Sequence, residues 1–150
     1  MPLVEETIDI AMDPSELFSI ISDFEKYSDI MEGVKQVNIL EQGDGYSVSE
    51  WITEIDKRVI RWIEKDFIKP AENRIDFDQI EGDLKTLKGF WQLEPNGSIT
   101  KVTFSIYFEF GVPMIAPLIH PLLAKKLREN MKQMLSDLKR RAEDGAQVDA

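Results

Sequence analysis

The sequence predicts an α+β domain in which a curved antiparallel sheet of about seven strands wraps a long C-terminal helix and leaves an internal cavity. Three observations predict it. Apolar and polar residues alternate in seven short segments, the period of half-buried strands. Six of these segments follow one another between Val34 and Phe110 with turn signals between them and no room for crossover helices, so neighbours must pair antiparallel. The chain then ends on one long stretch with apolar residues at helical spacing. A single helix cannot fill a strongly bent sheet, and the space left is of the kind lined by apolar and aromatic groups with a few placed polar ones.

The elements follow in order. Val4, Ile8 and Ile10 lie on one side of a first strand. Asp13-Pro14-Ser15-Glu16 starts a helix: Asp13 can cap, Pro14 suits the first helical position, and Glu16 can complete a capping box. Leu17, Phe18, Ile20 and Ile21 form its apolar stripe, and a second short helix over Phe24 to Met31 makes a bent pair that ends before Gly33. Strands are predicted over 34–42, 46–55, 58–68, 73–80, 85–94 and 99–110, broken by Gly43-Asp44-Gly45, Asp56-Lys57, Pro70, Gly82-Asp83 and Pro95-Asn96-Gly97. The last helix runs from about Ala116 to Glu143, with Ile119, Leu122, Leu123, Leu127, Met131, Met134, Leu135 and Leu138 as its stripe. The domain therefore spans 1–143, followed by a flexible acidic tail over 144–150.

Composition narrows the function. The 150 residues carry 28 Asp+Glu against 18 Lys+Arg, a net charge of −10, which argues against a nucleic-acid partner. There is no Cys and only one His, His120, so thiolate metal sites, thiol nucleophiles and Ser-His-Asp relays are excluded or hard to build. No metal and no cofactor are expected. The N-terminus lacks a basic start and a long apolar run, which makes a cytoplasmic protein the expectation. The most apolar stretch, Val112 to Ala124, is broken by Pro113, Pro117 and Pro121 and is too short to be a transmembrane segment. Residues 125–141 hold seven Lys/Arg against two acids. Read plainly this is a solvated face with cations towards a helix C-terminus; read functionally it is an interaction surface carried by Lys125, Lys126, Lys132 and Lys139.

Inward-facing side chains follow from the turns. If Asp56-Lys57 is a two-residue hairpin loop, residues whose numbers sum to 113 face each other, and Trp51 opposes Trp62. Ser47, Ser49, Thr53, Ile60, Glu64 and Asp66 share that face, which is taken as the inner one unless a bulge flips a strand. Glu50 and Glu54 would pair with Arg61 and Lys65 outside. On later strands Leu87, Gly89, Trp91 and Leu93, then Val102, Phe104, Ile106, Phe108 and Phe110, point inward. Met31, Met131 and Met134 supply adaptable packing. The candidate cavity residues read from these faces are Trp51, Ile60, Trp62, Leu87, Trp91, Phe104, Ile106, Met131 and Met134.

The polar candidates are Glu64, Asp66 and Asn130. Two residues apart on one strand, Glu64 and Asp66 put carboxylates on the same face about 7 Å apart. In a desolvated pocket at least one pKa rises, and the pair could act as general base and acid on a carbonyl compound; alternatively both lie in water at the pocket mouth or pair with Arg74 or a Lys. Asn130 could orient a ligand carbonyl or bond a strand residue. His120 reads as a surface or capping residue. Asp76 and Asp78 share a face with Arg74, which is a solvated face or, more weakly, a metal site.

Four stretches then carry a resemblance: Asp23-Phe24-Glu25-Lys26-Tyr27, Ile80 to Trp91, Tyr107-Phe108-Glu109-Phe110 and Leu127-Arg128-Glu129-Asn130-Met131. With them the chain, from Val4 to Glu143, resembles the START-like (SRPBCC) helix-grip superfamily, which includes polyketide cyclase/dehydrases, Coq10-type quinone-binding proteins and the related RatA-type proteins. Gly82 to Trp91 and Phe108 to Phe110 are more similar to the Coq10/RatA branch. That resemblance implies a carrier or chaperone for a quinone, a lipid or a polyketide-like molecule; its RatA side implies ribosome association. The aromatase/cyclase branch implies instead an enzyme that promotes aldol cyclisation and dehydration of a poly-β-ketone chain, with an acyl carrier protein or a weak membrane contact as further partners. Its pocket positions fall on Tyr27, Met31, Ile60, Trp62, Trp91 and Phe104, and its helix Asn on Asn130. Its Ser and Arg fall on Glu64 and Asp66, so the cation of that pattern is missing.

Overall fold

The structure, a computed structural model, describes residues 3–55, 57–109 and 116–149, with the backbone alone for 55, 58, 116–123 and 145–149. Strand β1 (Leu3–Ile10) leads into helix α1 (Pro14–Ile21), a 3-10 turn (Phe24–Lys26) and a short helix α2 (Tyr27–Ile30). Six strands follow: β2 (Val34–Gly43), β3 (Tyr46–Ile55), β4 (Arg58–Lys69), β5 (Arg74–Gly82), β6 (Thr86–Asn96) and β7 (Ile99–Glu109). Helix α3 (Ala116–Asp149) ends the chain and continues past the expected end at Glu143, into the segment expected to be a flexible tail. Phe110, Val112, Pro113 and Asp56 lie outside the described residues, as do the side chains of Ile119, His120, Leu122 and Leu123.

All strands belong to one seven-stranded antiparallel sheet in the order β1-β7-β6-β5-β4-β3-β2. The meander from β2 to β7 is the expected one, and β1 closes on β7 with Val4 opposite Ile106 and Ile10 opposite Thr100. The β3–β4 register is the predicted one, Trp51 opposite Trp62 and Ser49 opposite Glu64, without a shift. Lys57 turns that hairpin with a φ of 66°. A bulge does occur one strand further on. Ile63 pairs with Glu81 and Glu64 with Gln79, so Ile80 has no partner and β5 bends beside Glu64.

Sheet curvature has a further cause at Gly89. A Cβ there would lie 1.9 Å from the Ser105 carbonyl oxygen and 2.8 Å from the Phe77 ring. No side chain fits, so β6 and β7 approach closely and the Phe77 ring fills the gap.

Asp13 caps α1 as expected, its carboxylate accepting from Ser15 N–H at 3.1 Å. The reciprocal bond expected of Glu16 is not formed among the described residues. Leu127, Met131, Met134, Leu135, Leu138 and Ala142 form the buried stripe of α3, which lies nearest β1. Asp137, buried on the same helix, accepts from the Glu32 backbone N–H at 3.1 Å, from Gln133 at 2.9 Å and from Arg140, and so ties α3 to the loop before β2. On the outer face Arg61 meets Glu50 as predicted. Lys65 does not meet Glu54: the register places it opposite Val48, and its ammonium lies 4.8 Å from the Tyr46 ring centre, while Glu54 pairs with Lys35.

Candidate functional site: an aromatic slot with a buried carboxyl pair

Between the sheet and α3 lies a void of about 70 Å³. At roughly 10–15 Å³ per water, that is room for about five waters. An apolar cavity of about 150 Å³, roughly twice this void, takes up benzene, so a ring would need the lining side chains to move apart. The half-exposed wall residues Ile60, Trp62, Leu84 and Asn130 mark where it opens.

Strand alternation brings the aromatic wall together. Trp51 and Trp62 lie parallel at 6.0 Å between ring centres, and Trp91 stacks on Phe104 at 3.9 Å. Tyr27 bridges the two groups edge-on, 5.2 Å from Trp51 and 6.3 Å from Trp91. Its hydroxyl donates to the Ile21 carbonyl oxygen, which fixes the ring from the helix side. Burial, reinforced by the nearby Glu64 and Asp66 charges, pushes the Tyr27 hydroxyl well above the ordinary phenol range, so it stays neutral.

Glu64 and Asp66 are 4% and 0% exposed. Neither has an ion-pair partner among the described residues; Arg74, the expected cation, instead engages Asp76 and Gln92 on the outer face. This removes the reading of the pair as solvated or cation-paired. Their hydrogen bonds are unequal. Asp66 Oδ2 accepts from Ser49 at 2.6 Å and from Ser47 at 3.1 Å, and Ser49 itself accepts the Trp51 indole N–H at 2.8 Å. Glu64 Oε1 accepts only the Trp62 indole N–H, at 2.7 Å. Asp66 Oδ1 is buried with no N–H or hydroxyl donor, and the Asp66 and Glu64 carboxyls lie within hydrogen-bond reach of each other.

A protonated Glu64 resolves this arrangement by donating to Asp66. Burial, then the hydrogen bond to Asp66 and its charge, raises Glu64 well above the carboxylate range. Burial also raises Asp66, against the pull of Glu64, Ser49 and Ser47. Both carboxyls are thus held above the ordinary range by the low-dielectric wall, Glu64 more strongly than Asp66, so Glu64 is the one that keeps a proton longer as pH rises.

Of the other sequence candidates, Ile60, Leu87, Ile106, Met134 and Asn130 lie on the cavity wall. Met31 and Met131 do not: both are buried in the packed core, at 1% and 0% exposure. On α3 the stripe Leu127, Asn130, Met134 faces the void, and Met131 sits about 100° round the helix from Asn130. Asn130 packs against Gly33, where a Cβ would come within 2.7 Å of its amide nitrogen, and has no hydrogen-bond partner among the described residues. The candidate set omitted Phe24, Thr53, Ile75, Phe77, Leu84, Phe108 and Leu127. Period-2 alternation on β5 could have found Ile75 and Phe77; Leu84 lies in a turn and carries no such signal. Asp76 is held by Lys69 at 2.9 Å and by Arg74, and no metal-binding cluster occurs among the described residues. The basic face of α3 is partly used internally, Arg128 on Glu6 and Lys139 on Glu143 and the Asp9 carbonyl.

A family model described as polyketide cyclase/dehydrase and lipid transport matches residues 10–135. No curated protein matches the sequence significantly. Among solved structures, a protein from Thermus thermophilus superposes with a TM-score of 0.90 at 23% identity, covering 96% of this chain and 99% of that one. A START superfamily protein from Mycobacterium smegmatis gives 0.82 at 25%, covering 95% and 97%. The Zhui aromatase/cyclase from Streptomyces sp. R1128 gives 0.78 at 20%, covering 93% and 94%. The fold is thus the START-like helix-grip fold.

Proposed function

Since this chain belongs to the polyketide cyclase/dehydrase and lipid transport family, we propose that its cavity binds a small, largely apolar carbonyl compound and that Glu64 and Asp66 move protons on it. The single observation behind this reading is the buried carboxyl pair, with no cation beside it among the described residues, on the wall of an aromatic slot. The chemistry it fits best is loss of water from a β-hydroxy carbonyl compound. Glu64 delivers its proton to the leaving hydroxyl while the Asp66 carboxylate takes the proton from the carbon next to the carbonyl. The C–O bond breaks, a C=C bond forms and water departs. The proton on Asp66 then returns to Glu64 along the bond that joins them, so the pair ends as it began.

A full enolate fits less well, because no Lys, Arg or His lies on the described wall to stabilise it; Asn130 is the neutral donor nearest that task. The same absence favours a second reading, a Coq10-like carrier of a neutral quinone- or lipid-like molecule. An aromatic β-hydroxy ketone, followed by the absorbance of the enone, separates them. Dehydration with a bell-shaped pH profile, abolished in Glu64→Gln and Asp66→Asn, is expected of the enzyme. Rates unchanged in both variants remove it, and native mass spectrometry then tests for a co-purified neutral ligand.

A further inference from the structure

The described cavity wall carries Glu64, Asp66 and Tyr27 as its titratable groups and no cation. The pair therefore sets a negative field that no protein group offsets, in surroundings where charges interact far more strongly than in water. Both neighbouring indoles have their electropositive N–H edges engaged, Trp62 on Glu64 and Trp51 on Ser49. What these rings still offer a ligand is their electron-rich faces. Two buried oxygens on the same wall have no N–H or hydroxyl donor: Asp66 Oδ1, on a side chain 0% exposed that has the Glu64 carboxyl as its remaining neighbour, and Thr53 Oγ1, on one 5% exposed. Each accepts a hydrogen bond, and Thr53 stands two residues beyond Trp51 on β3.

We infer that the cavity selects a small ring-bearing molecule with a protonated amine over neutral or anionic molecules of the same size, the ammonium bonding Asp66 Oδ1 and the Glu64 carboxylate. This rests on the reading that the cavity binds a small molecule, and not on the dehydration step. An ammonium takes the place of the Glu64 proton as donor to Asp66, in a charge-assisted bond. It also gains from the faces of Trp51 and Trp62. A carboxylate ligand would add a further negative group to the same desolvated wall, which excludes fatty acids and other free acids as a class.

Proton bookkeeping makes the inference measurable. In the free protein one proton on Glu64 reduces the charge of the pair, and an incoming ammonium takes over that role. The amine enters already charged, both carboxyls then ionise, and up to one proton passes to the buffer. Affinity therefore rises with pH while the free pair still holds its proton. Tyr27, facing the pair from α2, keeps its proton on the Ile21 carbonyl and does not enter the balance. The wall residues from β5, β6, β7 and α3 contribute no titratable side chain among the described residues.

Benzylamine, benzyl alcohol and benzoate form a series of nearly equal size and different charge. Titration calorimetry at neutral pH, in two buffers of different ionisation enthalpy, should show benzylamine at least about tenfold tighter than benzyl alcohol, or about 1.4 kcal/mol. Benzoate should not bind measurably, and only the amine should release protons. Asp66→Asn should bring the amine down towards the affinity of the alcohol, and Glu64→Gln should abolish the proton release that accompanies amine binding. Benzyl alcohol or benzoate binding as tightly as benzylamine, or amine binding without proton release, overturns this inference alone. Binding of none of the three overturns it together with the cavity-binding reading. The wild-type series decides the matter even where a variant fails to fold.

Discussion

Replacing Glu64 by Gln should stabilise the protein at neutral pH and leave it nearly unchanged in acid. Gln has the shape of the protonated acid: its carbonyl oxygen can keep the Trp62 indole N–H, and its NH2 can donate to Asp66 Oδ1. What it lacks is a proton to lose. Burial holds the folded Glu64 carboxyl above its unfolded value, so its contribution to stability is complete below the unfolded pKa of about 4.3. As pH rises from there the unfolded chain releases this proton and the folded one keeps it. The wild type therefore loses up to about 1.4 kcal/mol per pH unit through this group until the folded carboxyl ionises. Carboxylates elsewhere titrate in both proteins and cancel. Urea unfolding followed by circular dichroism, from about pH 4 to about pH 8, should give curves within about 1 kcal/mol of each other at the acid end, diverging above about pH 5 with the variant more stable. A constant difference across that range, or a variant less stable than wild type at the alkaline end, would mean that Glu64 is ionised in the fold and would refute the account of a raised Glu64 carboxyl.

Three further substitutions test the surroundings of the pair. Ser49→Ala removes the hydroxyl that donates to Asp66 and accepts the Trp51 N–H, leaving a buried donor unsatisfied, so denaturant unfolding should show a loss of about 1–3 kcal/mol. Thr53→Val replaces a hydroxyl that has no partner; the same measurement should show no loss and a gain of up to about 1 kcal/mol. Gly89→Ala drives a Cβ into the Ser105 carbonyl, and because backbone must move, thermal unfolding should register a loss of about 3 kcal/mol or more, or a failure to fold.

Periodicity made the fold legible because each strand has one wet and one dry face. The 56–57 turn fixes the β3–β4 register, which brings Trp51, Trp62, Glu64 and Asp66 to one face. Three things stayed hidden for physical reasons. The burial of the pair depends on α3 and on the β5 bend at Ile80, both far along the chain from Glu64. Which of the two acids is pushed further up depends on Ser47 and Ser49, whose type gives no sign of their partner until the strands are aligned. Met131 and Asn130 are adjacent in sequence, and only the rotation of α3 about its axis decides which of the two meets the void.

Stability alone does not account for the pair. Two acids taken out of water without a cation are costly, and apolar residues of similar volume commonly serve a fold as well or better. Yet Trp62, Ser49, Ser47 and, through Ser49, Trp51 all direct hydrogen bonds at these two carboxyls, and a bulge sits beside them. Those bonds fix the position of the pair while leaving one Asp66 oxygen without an N–H or hydroxyl donor, on the wall of a void lined otherwise almost wholly by apolar and aromatic groups. A network built only to stabilise the core would close on itself. This one leaves Asp66 only the Glu64 carboxyl beyond its two serines, an arrangement that serves the proton transfer proposed above better than it serves the core.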